Sequence, residues 1–335
     1  MTKKWSSRLT FFAFVVLMVG LGSNDSLRGI FSTIFQEHFS LTTTQLGLIV
    51  TASYIGNLVF LLVGGNLSTR FSKKRVLQVL ILIWMAALAL FAFTSNYTVL
   101  LIGMALALGS STLLNTTMNL ITPLLFATAP GFFVNFLFFT QEIGTSGSQY
   151  ILGSHADGFA FWQHTNLVLL ILGAVAFVLL LFCNVPEEAA DPADTPAQKG
   201  GYDWRIIVPY VLVFGFYFIA EHGVMNWMVA YGVDGLGLPQ ASAAKYLSVF
   251  FGGMMIGRLC LSPLVDKLGA LKSLAAFGGV SCVLYLIGSL GGAVTMPVWA
   301  ISGLSFSILY PTLVMSIRLY FPAQQVSGAA GTILS

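Results

Sequence analysis

The chain has 335 residues, of which 57% are hydrophobic and 8% charged, with a formal net charge of +3. A soluble globular domain carries about 25% charged residues, so this composition excludes one and reads as an all-α integral membrane protein. The net charge itself decides little, because in a membrane protein the placement of Lys and Arg matters more than their sum.

A span needs about 20 apolar residues. By that rule ten spans fall near 9–35, 45–67, 76–94, 99–126, 132–152, 167–183, 206–231, 243–264, 274–290 and 297–319. The first follows Lys3, Lys4 and Arg8 and resembles a signal peptide in charge. Its apolar run continues through a full span without a small-residue cleavage site, so it is read as an uncleaved first helix. An eleventh span begins at Val326, and the sequence stops inside it. The expectation is a fragment of a longer protein, with an incomplete second bundle.

The cysteines Cys183, Cys260 and Cys282 all lie in apolar runs, with no CxxC and no Cys/His cluster. They read as small core residues, and neither a metal nor a cofactor is expected. No nucleotide loop, HExxH or nucleophile elbow occurs, so the chain is not expected to be an enzyme. The basic cluster at Lys73, Lys74 and Arg75 is explained by topology, and no nucleic-acid partner is implied.

With alternating helices, most basic residues fall on one side. Arg8, Arg70, Lys73, Lys74, Arg75, Lys199, Arg205, Arg258, Lys267, Lys272 and Arg318 share it, while Lys245 and Arg28 stand opposite. That asymmetry puts the N-terminus in the cytoplasm of a cell whose inner membrane holds the chain. The stretch 186–203 is rich in Pro, Ala and acids and reads as a flexible linker. It divides the chain into an N-terminal six-helix bundle (1–184), a cytoplasmic linker (185–205) and a truncated C-terminal bundle (206–335).

The two bundles resemble each other. Sliding the run after Gly56 over the run after Gly253 pairs Leu67 with Leu264, Arg70 with Lys267 and Leu77 with Leu274. The same offset sets Asp25 opposite His222, one residue from Glu221. Repeats related by an axis along the membrane normal are a hallmark of carriers, whose sites lie near the midplane.

Residues 65–74, GNLSTRFSKK, resemble the Gly-x-Leu-x-Asp-Arg-x-Gly-Arg-Arg loop of the major facilitator superfamily. Thr69 replaces the acid and Ser72 the glycine, whereas the second copy keeps both as Asp266, Lys267, Leu268 and Gly269. The resemblance implies a cytoplasmic charge latch drawing on Arg70, Arg258, Asp266 and Lys267. The missing acid at Thr69 leaves the second copy as the usable latch. The chain is most similar to the fucose–proton symporter branch. Tyr217, Glu221, Gly223, Trp227 and Tyr231, then Gly257-Arg258 and Leu309-Tyr310-Pro311-Thr312, carry that likeness, with Asn119, Asn135, Gly144 and Gly147. The branch places an acid in helix 4, four residues before its Asn. Here that position is Asn115, so any proton coupling must use other groups.

Glu221 lies past the middle of an apolar helix, where a charge costs at least about 3 kcal/mol on insertion scales. Such a residue handles ions, protons or substrate, or else stays neutral and bonded to a neighbouring helix. Asp25 has Arg28 one turn on, on the same helical face. That pair either switches its proton with conformation or is a static ion pair. Glu142 is a further acid inside a span. These four residues are the candidates for proton coupling. Asn115, Asn119, Asn135, Gln141 and Asn226 offer amide donors and acceptors suited to a polyhydroxylated solute, and Trp227 a ring face to stack on it. Interhelical bonds and core filling are the alternative for each. The partners expected are a small solute, protons and the bilayer, around a monomer. The expectation is a sugar–proton symporter working by alternating access, with an efflux antiporter for amphipathic compounds and a transport-dead sensor as rivals.

Overall fold

The computed structural model of the chain describes residues 3–126, 130–186 and 204–320. The expected linker is almost wholly outside that range, as is the span expected from Val326. The side chains of Arg70, Asn135 and Asp266 are also outside the described set.

The chain falls into two compact units, Met1–Glu188 and Ala189–Ser335. The first holds α1 (Lys3–Ile30), α2 (Ser32–His38), α3 (Thr43–Arg70), α4 (Lys73–Phe93), α5 (Tyr97–Leu125), α6 (Pro130–His155) and α7 (Phe159–Phe182). The second holds α8 (Trp204–Ala230), α9 (Gln240–Cys260), α10 (Ser262–Leu268), α11 (Ala270–Leu290), α12 (Met296–Phe306) and α13 (Leu309–Ser316). No strand occurs among the described residues. Among the described residues, eight helical stretches are long and apolar enough to cross a bilayer. The long helices α6 and α9 are more polar than these: α6 carries Thr140, Gln141, Glu142, Thr145 and Gln149, and α9 carries Ser242, Lys245 and Ser248.

Local chemistry sets the helix ends. Before α3, the Thr42 N–H donates to Gln45 Oε1 at 2.9 Å, and Gln45 N–H donates back to Thr42 Oγ1 at 3.3 Å. This is a reciprocal capping box. Ser72 caps α4 by accepting from Arg75 N–H, and Asn96 caps α5 by accepting from Val99 N–H. Three expected spans prove to be broken. The first stops at Ile30 and resumes as α2. The eighth ends at Cys260, and Pro263 sits in the first turn of α10. The tenth divides into α12 and α13 because Pro311 has no N–H and its ring crowds the carbonyl of Ser307.

In the first unit α1 is the buried axis, packed on α6 and α7, while α5 packs on α3 and α4. Close approach is made possible by glycine. A side chain at Gly22 would meet the Gln141 carbonyl, and one at Gly144 would meet Val19. Without water to squeeze out, such backbone contact is what holds membrane helices together. The spacing of Gly144 and Gly147 predicts that both serve this purpose. Only Gly144 does; a Cβ on Gly147 would meet nothing within 4 Å.

The second unit repeats the plan. The offset that pairs Gly56 with Gly253 carries Lys73 and Phe93 onto Ala270 and Leu290, the two ends of α11. Gly56 abuts the backbone of Ala105 on α5, and Gly253 that of Leu304 on α12. In the first unit α7 fills the space beside α1 and α4, with Leu172 against Gly20, and Gly173 against Trp84 and Met85. The offset partners of Gly20, Trp84 and Met85 are Tyr217, Ser281 and Cys282. They line an apolar cavity of about 690 Å³ bounded by α8, α11 and α13.

The C-terminus of α7 is tied down. Lys74 Nζ donates to the Leu181 carbonyl at 3.1 Å and to the Cys183 carbonyl at 2.7 Å. A cation there answers the unpaired carbonyls and the negative end of the helix dipole. Burial pushes the Cys183 thiol up, opposed by a Thr10 hydrogen bond and by the Lys74 charge.

Candidate functional site

Two polar clusters stand inside the spans, one in each unit. The first is built on α1, α5 and α6. Residues 23–28 of α1, SNDSLR, are polar except for Leu27 and follow a long apolar run of the helix. Ser23, Asn24, Ser26 and Arg28 are buried there. Ser23 Oγ and Ser26 Oγ bond backbone carbonyls of their own helix, those of Val19 and Ser23. Asp25 turns the other way, toward α5. Ser111 Oγ donates to both of its carboxylate oxygens at 3.3 Å. Arg28 is 4% exposed and its guanidinium lies 6.0 Å from the centre of the Tyr54 ring, within cation–π range.

One turn after Ser111 on α5 stands Asn115, and one turn further Asn119. Asn119 Nδ2 donates to Asn115 Oδ1 at 2.6 Å, and Asn115 Nδ2 donates to Gln141 Oε1 on α6 at 2.7 Å. Three of the amides expected to bind solute are therefore one ladder crossing from α5 to α6. At its far end Asn119 Oδ1 is buried and accepts from no protein donor among the described residues. Gln141 and Glu142 are half-buried on α6. The ladder carries no charge, as the amide at 115 dictates, and offers donors and acceptors in alternation.

The second cluster is built on α8, α9 and α13. Glu221 is half-buried one turn after Tyr217. Tyr217 itself is buried. Tyr217 stacks on Phe306 at 4.9 Å and on Tyr310 at 5.9 Å between ring centres. The sequence reads Arg258 as part of a turn. It is half-buried near the end of α9. Lys267, also expected in the latch, is exposed.

The remaining candidates are placed as follows. His222 Nδ1 donates to the Phe218 carbonyl at 3.0 Å, which makes it a local tie. Asn226 is 2% exposed and donates to the His222 carbonyl at 2.7 Å. Trp227 is half-buried. Among the described residues no group of three His, Cys, Asp or Glu is placed to hold a metal ion. Sequence reasoning missed Ser111. Its signal was the four-residue spacing that sets Ser111, Asn115 and Asn119 on one helical face.

The family model of the Major Facilitator Superfamily matches residues 10–335. The L-fucose-proton symporter of Escherichia coli (strain K12) is 24% identical over 333 residues, covering 86% of this chain and 75% of that protein. The cis,cis-muconate transport protein of Acinetobacter baylyi is 24% identical over 297 residues, covering 82% and 70%. Among solved structures, the transporter FucP in its outward conformation superposes with a TM-score of 0.67 at 20% identity, covering 98% of this chain and 88% of that one.

Proposed function

This chain belongs to the major facilitator superfamily of membrane transporters, and on that premise we propose that it carries a sugar or similar small polar solute together with protons. It works by alternating access, as a monomer in the inner membrane with its N-terminus in the cytoplasm. The orientation rests on the one-sided distribution of Lys and Arg.

The observation that carries this reading is the uncharged ladder Asn119–Asn115–Gln141 beside the Asp25–Ser111 pair. Donors and acceptors alternating inside a span match the hydroxyls of a polyol. Asn135, Asn226 and Trp227 complete the solute-binding set. Protons are taken up by Asp25, with Arg28 beside it, and by Glu142 and Glu221. Arg70, Arg258, Asp266 and Lys267 serve the cytoplasmic latch. The relation to a fucose–proton symporter supports the choice of solute and of coupling ion.

The test is uptake into proteoliposomes of labelled L-fucose, D-glucose, D-galactose and cis,cis-muconate, with and without an inward proton gradient. Gradient-driven uptake of at least one sugar is expected. Uptake of muconate alone would replace the sugar by an organic acid. Outward movement of amphipathic dyes with no sugar uptake would move the assignment to efflux. Sugar binding without exchange would make the chain a sensor.

A further inference from the structure

The cavity between α8, α11 and α13 has no part in the transport reading, and its walls decide what fits it. Its volume is about 690 Å³, within the range of small-molecule sites, roughly 300–1,000 Å³. Arg205, Leu271 and Tyr320 line one end, and Ala220 and Leu286 the other. From Arg205 to Ala220 the cavity follows α8 for roughly 22 Å, by the rise of a helix. That exceeds one leaflet of a hydrocarbon core about 30 Å thick. Hydroxyls on the wall are bonded within the protein. Tyr210 Oη lies 2.8 Å from Ser316 Oγ, Ser281 Oγ donates to Ser305 Oγ at 2.8 Å, and Tyr285 Oη donates to the Ala220 carbonyl at 3.4 Å. A polyol entering here leaves its own hydroxyls poorly paired, whereas a hydrocarbon tail loses no hydrogen bond.

Among the described residues that line the cavity, Arg205 is the one charged side chain. It is exposed in the first turn of α8, beside the exposed Trp204, and Lys272, next to Leu271, is exposed too. An aromatic ring with basic groups at the start of a span marks the level of the headgroups. A guanidinium matches a phosphate through two parallel hydrogen bonds. We propose that the cavity binds an anionic phospholipid of the surrounding bilayer, with one acyl chain along α8 and α11 and the phosphate at Arg205. Basic pockets between spans hold anionic headgroups by this chemistry. The first unit shows what the lipid replaces. There α7 covers the matching seat, with Leu172 against Gly20, and brings its C-terminal carbonyls to the end where α4 begins. The lipid supplies a tail in place of that apolar body and a phosphate in place of its negative end. The choice of leaflet rests on the orientation proposed above; the binding does not rest on transport.

The experiment uses the purified full chain in nanodiscs of mixed phosphatidylcholine and phosphatidylglycerol. The chain is released into detergent, and the lipid that stays bound is identified by native mass spectrometry. Phosphatidylglycerol is expected to be retained about fivefold over phosphatidylcholine, the scale of one basic group near the surface. Arg205→Gln is expected to abolish the preference and Arg205→Lys to keep most of it. A phosphatidylglycerol with a diazirine in its tail then locates the chain. Crosslinks are expected at Cys282 and Leu286, which line the cavity, in excess of those at Val280 and Val283 on the outer face of α11. A Cβ at Gly278 meets only Leu309, at 3.9 Å, so Gly278→Leu fills the cavity without a backbone clash and is expected to remove the Cys282 and Leu286 crosslinks. Equal retention of the two lipids overturns the proposal, as does a preference that survives Arg205→Gln. Crosslinks confined to Val280 and Val283 overturn it as well, since they mean that another helix fills the seat. Sugar uptake is measured separately and tests the transport reading alone.

Discussion

The two units share a helix plan and differ in the chemistry placed on it. At matched positions the first unit has Ser111, Asn115 and Asn119, and the second Ile308, Thr312 and Ser316. At Glu221, Arg258 and Tyr310 the second unit has an acid, a base and an aromatic ring where the first has Asn24, Leu61 and Leu113. One copy became a hydrogen-bonding surface and the other a charged centre walled by rings. The glycine contacts that hold each unit were kept, Gly56 on α5 and Gly253 on α12. A duplicated scaffold tolerates this because close helix contact depends on a few small residues, while polar side chains elsewhere can change independently.

The division of labour is tested most severely at Glu221. Glu221→Gln should lower gradient-driven uptake by about a hundredfold or more, the scale for losing a positioned proton-transfer group, while solute exchange without a gradient persists. Equal loss of both activities would mean that Glu221 holds the unit together rather than handling protons. The scaffold comes next. Gly144→Ala drives a methyl group into the backbone of Val19. It should cost about 1–3 kcal/mol, read as a lower melting temperature in nanodiscs. Gly147→Ala meets nothing and removes glycine's entropy from a helix. It should gain about 0.5–1 kcal/mol. Two glycines three residues apart are thus expected to respond with opposite signs.

That pair also shows how far the sequence could be read. Hydropathy located the spans and the offset exposed the repeat, because both are written in composition along the chain. Which glycine faces a neighbour is not. It depends on the rotation of α6 about its axis against α1, and no spacing within α6 alone records it. The same is true of Arg258. Near a helix end and close to other basic residues, it reads as topology. Its half-buried place on α9, next to the Gly257 contact with Ser307, depends on how α9 packs against its neighbour. Ser111 was legible in principle, since helical spacing links it to two amides already singled out. The breaks in α12–α13 and α9–α10 were announced by Pro311 and Pro263, but a window of about 20 residues averages over them.

The hydrogen-bonding half of the comparison is sharpened by Asn115. Asn115→Ala cuts the ladder in the middle and leaves Gln141 Oε1 and Asn119 Nδ2 without their partner. Each buried group left unsatisfied costs about 1–3 kcal/mol. If solute replaces part of those bonds, the KM of the transported sugar rises about tenfold with little change in maximal rate. Asn115→Asp keeps one acceptor and adds a carboxyl one turn from Ser111, which donates to Asp25. It should be worse for a neutral sugar than Asn115→Ala only if the two carboxylates ionise together, which transport at acidic pH would relieve.

The smallest effect expected concerns the tie at the end of α7 in the first unit. Lys74 holds the C-terminus of α7, and its offset partner in the second unit is Leu271, which lines the cavity. Lys74→Met should destabilise the last turn of α7 by about 0.3–1 kcal/mol and leave the rest of the unit intact. Cys183 reports on it directly, being 2% exposed, whereas Cys260 and Cys282 are exposed and serve as references. Two consequences oppose each other. Removing the Lys74 charge takes away an influence that lowers the Cys183 thiol, so less thiolate is present and maleimide labelling should slow. Fraying of the helix end uncovers the same thiol and should speed it by about two- to fivefold. Faster labelling of Cys183 at an unchanged rate for Cys260 and Cys282 therefore isolates the mechanical role of the lysine, because the electrostatic change alone acts in the opposite direction.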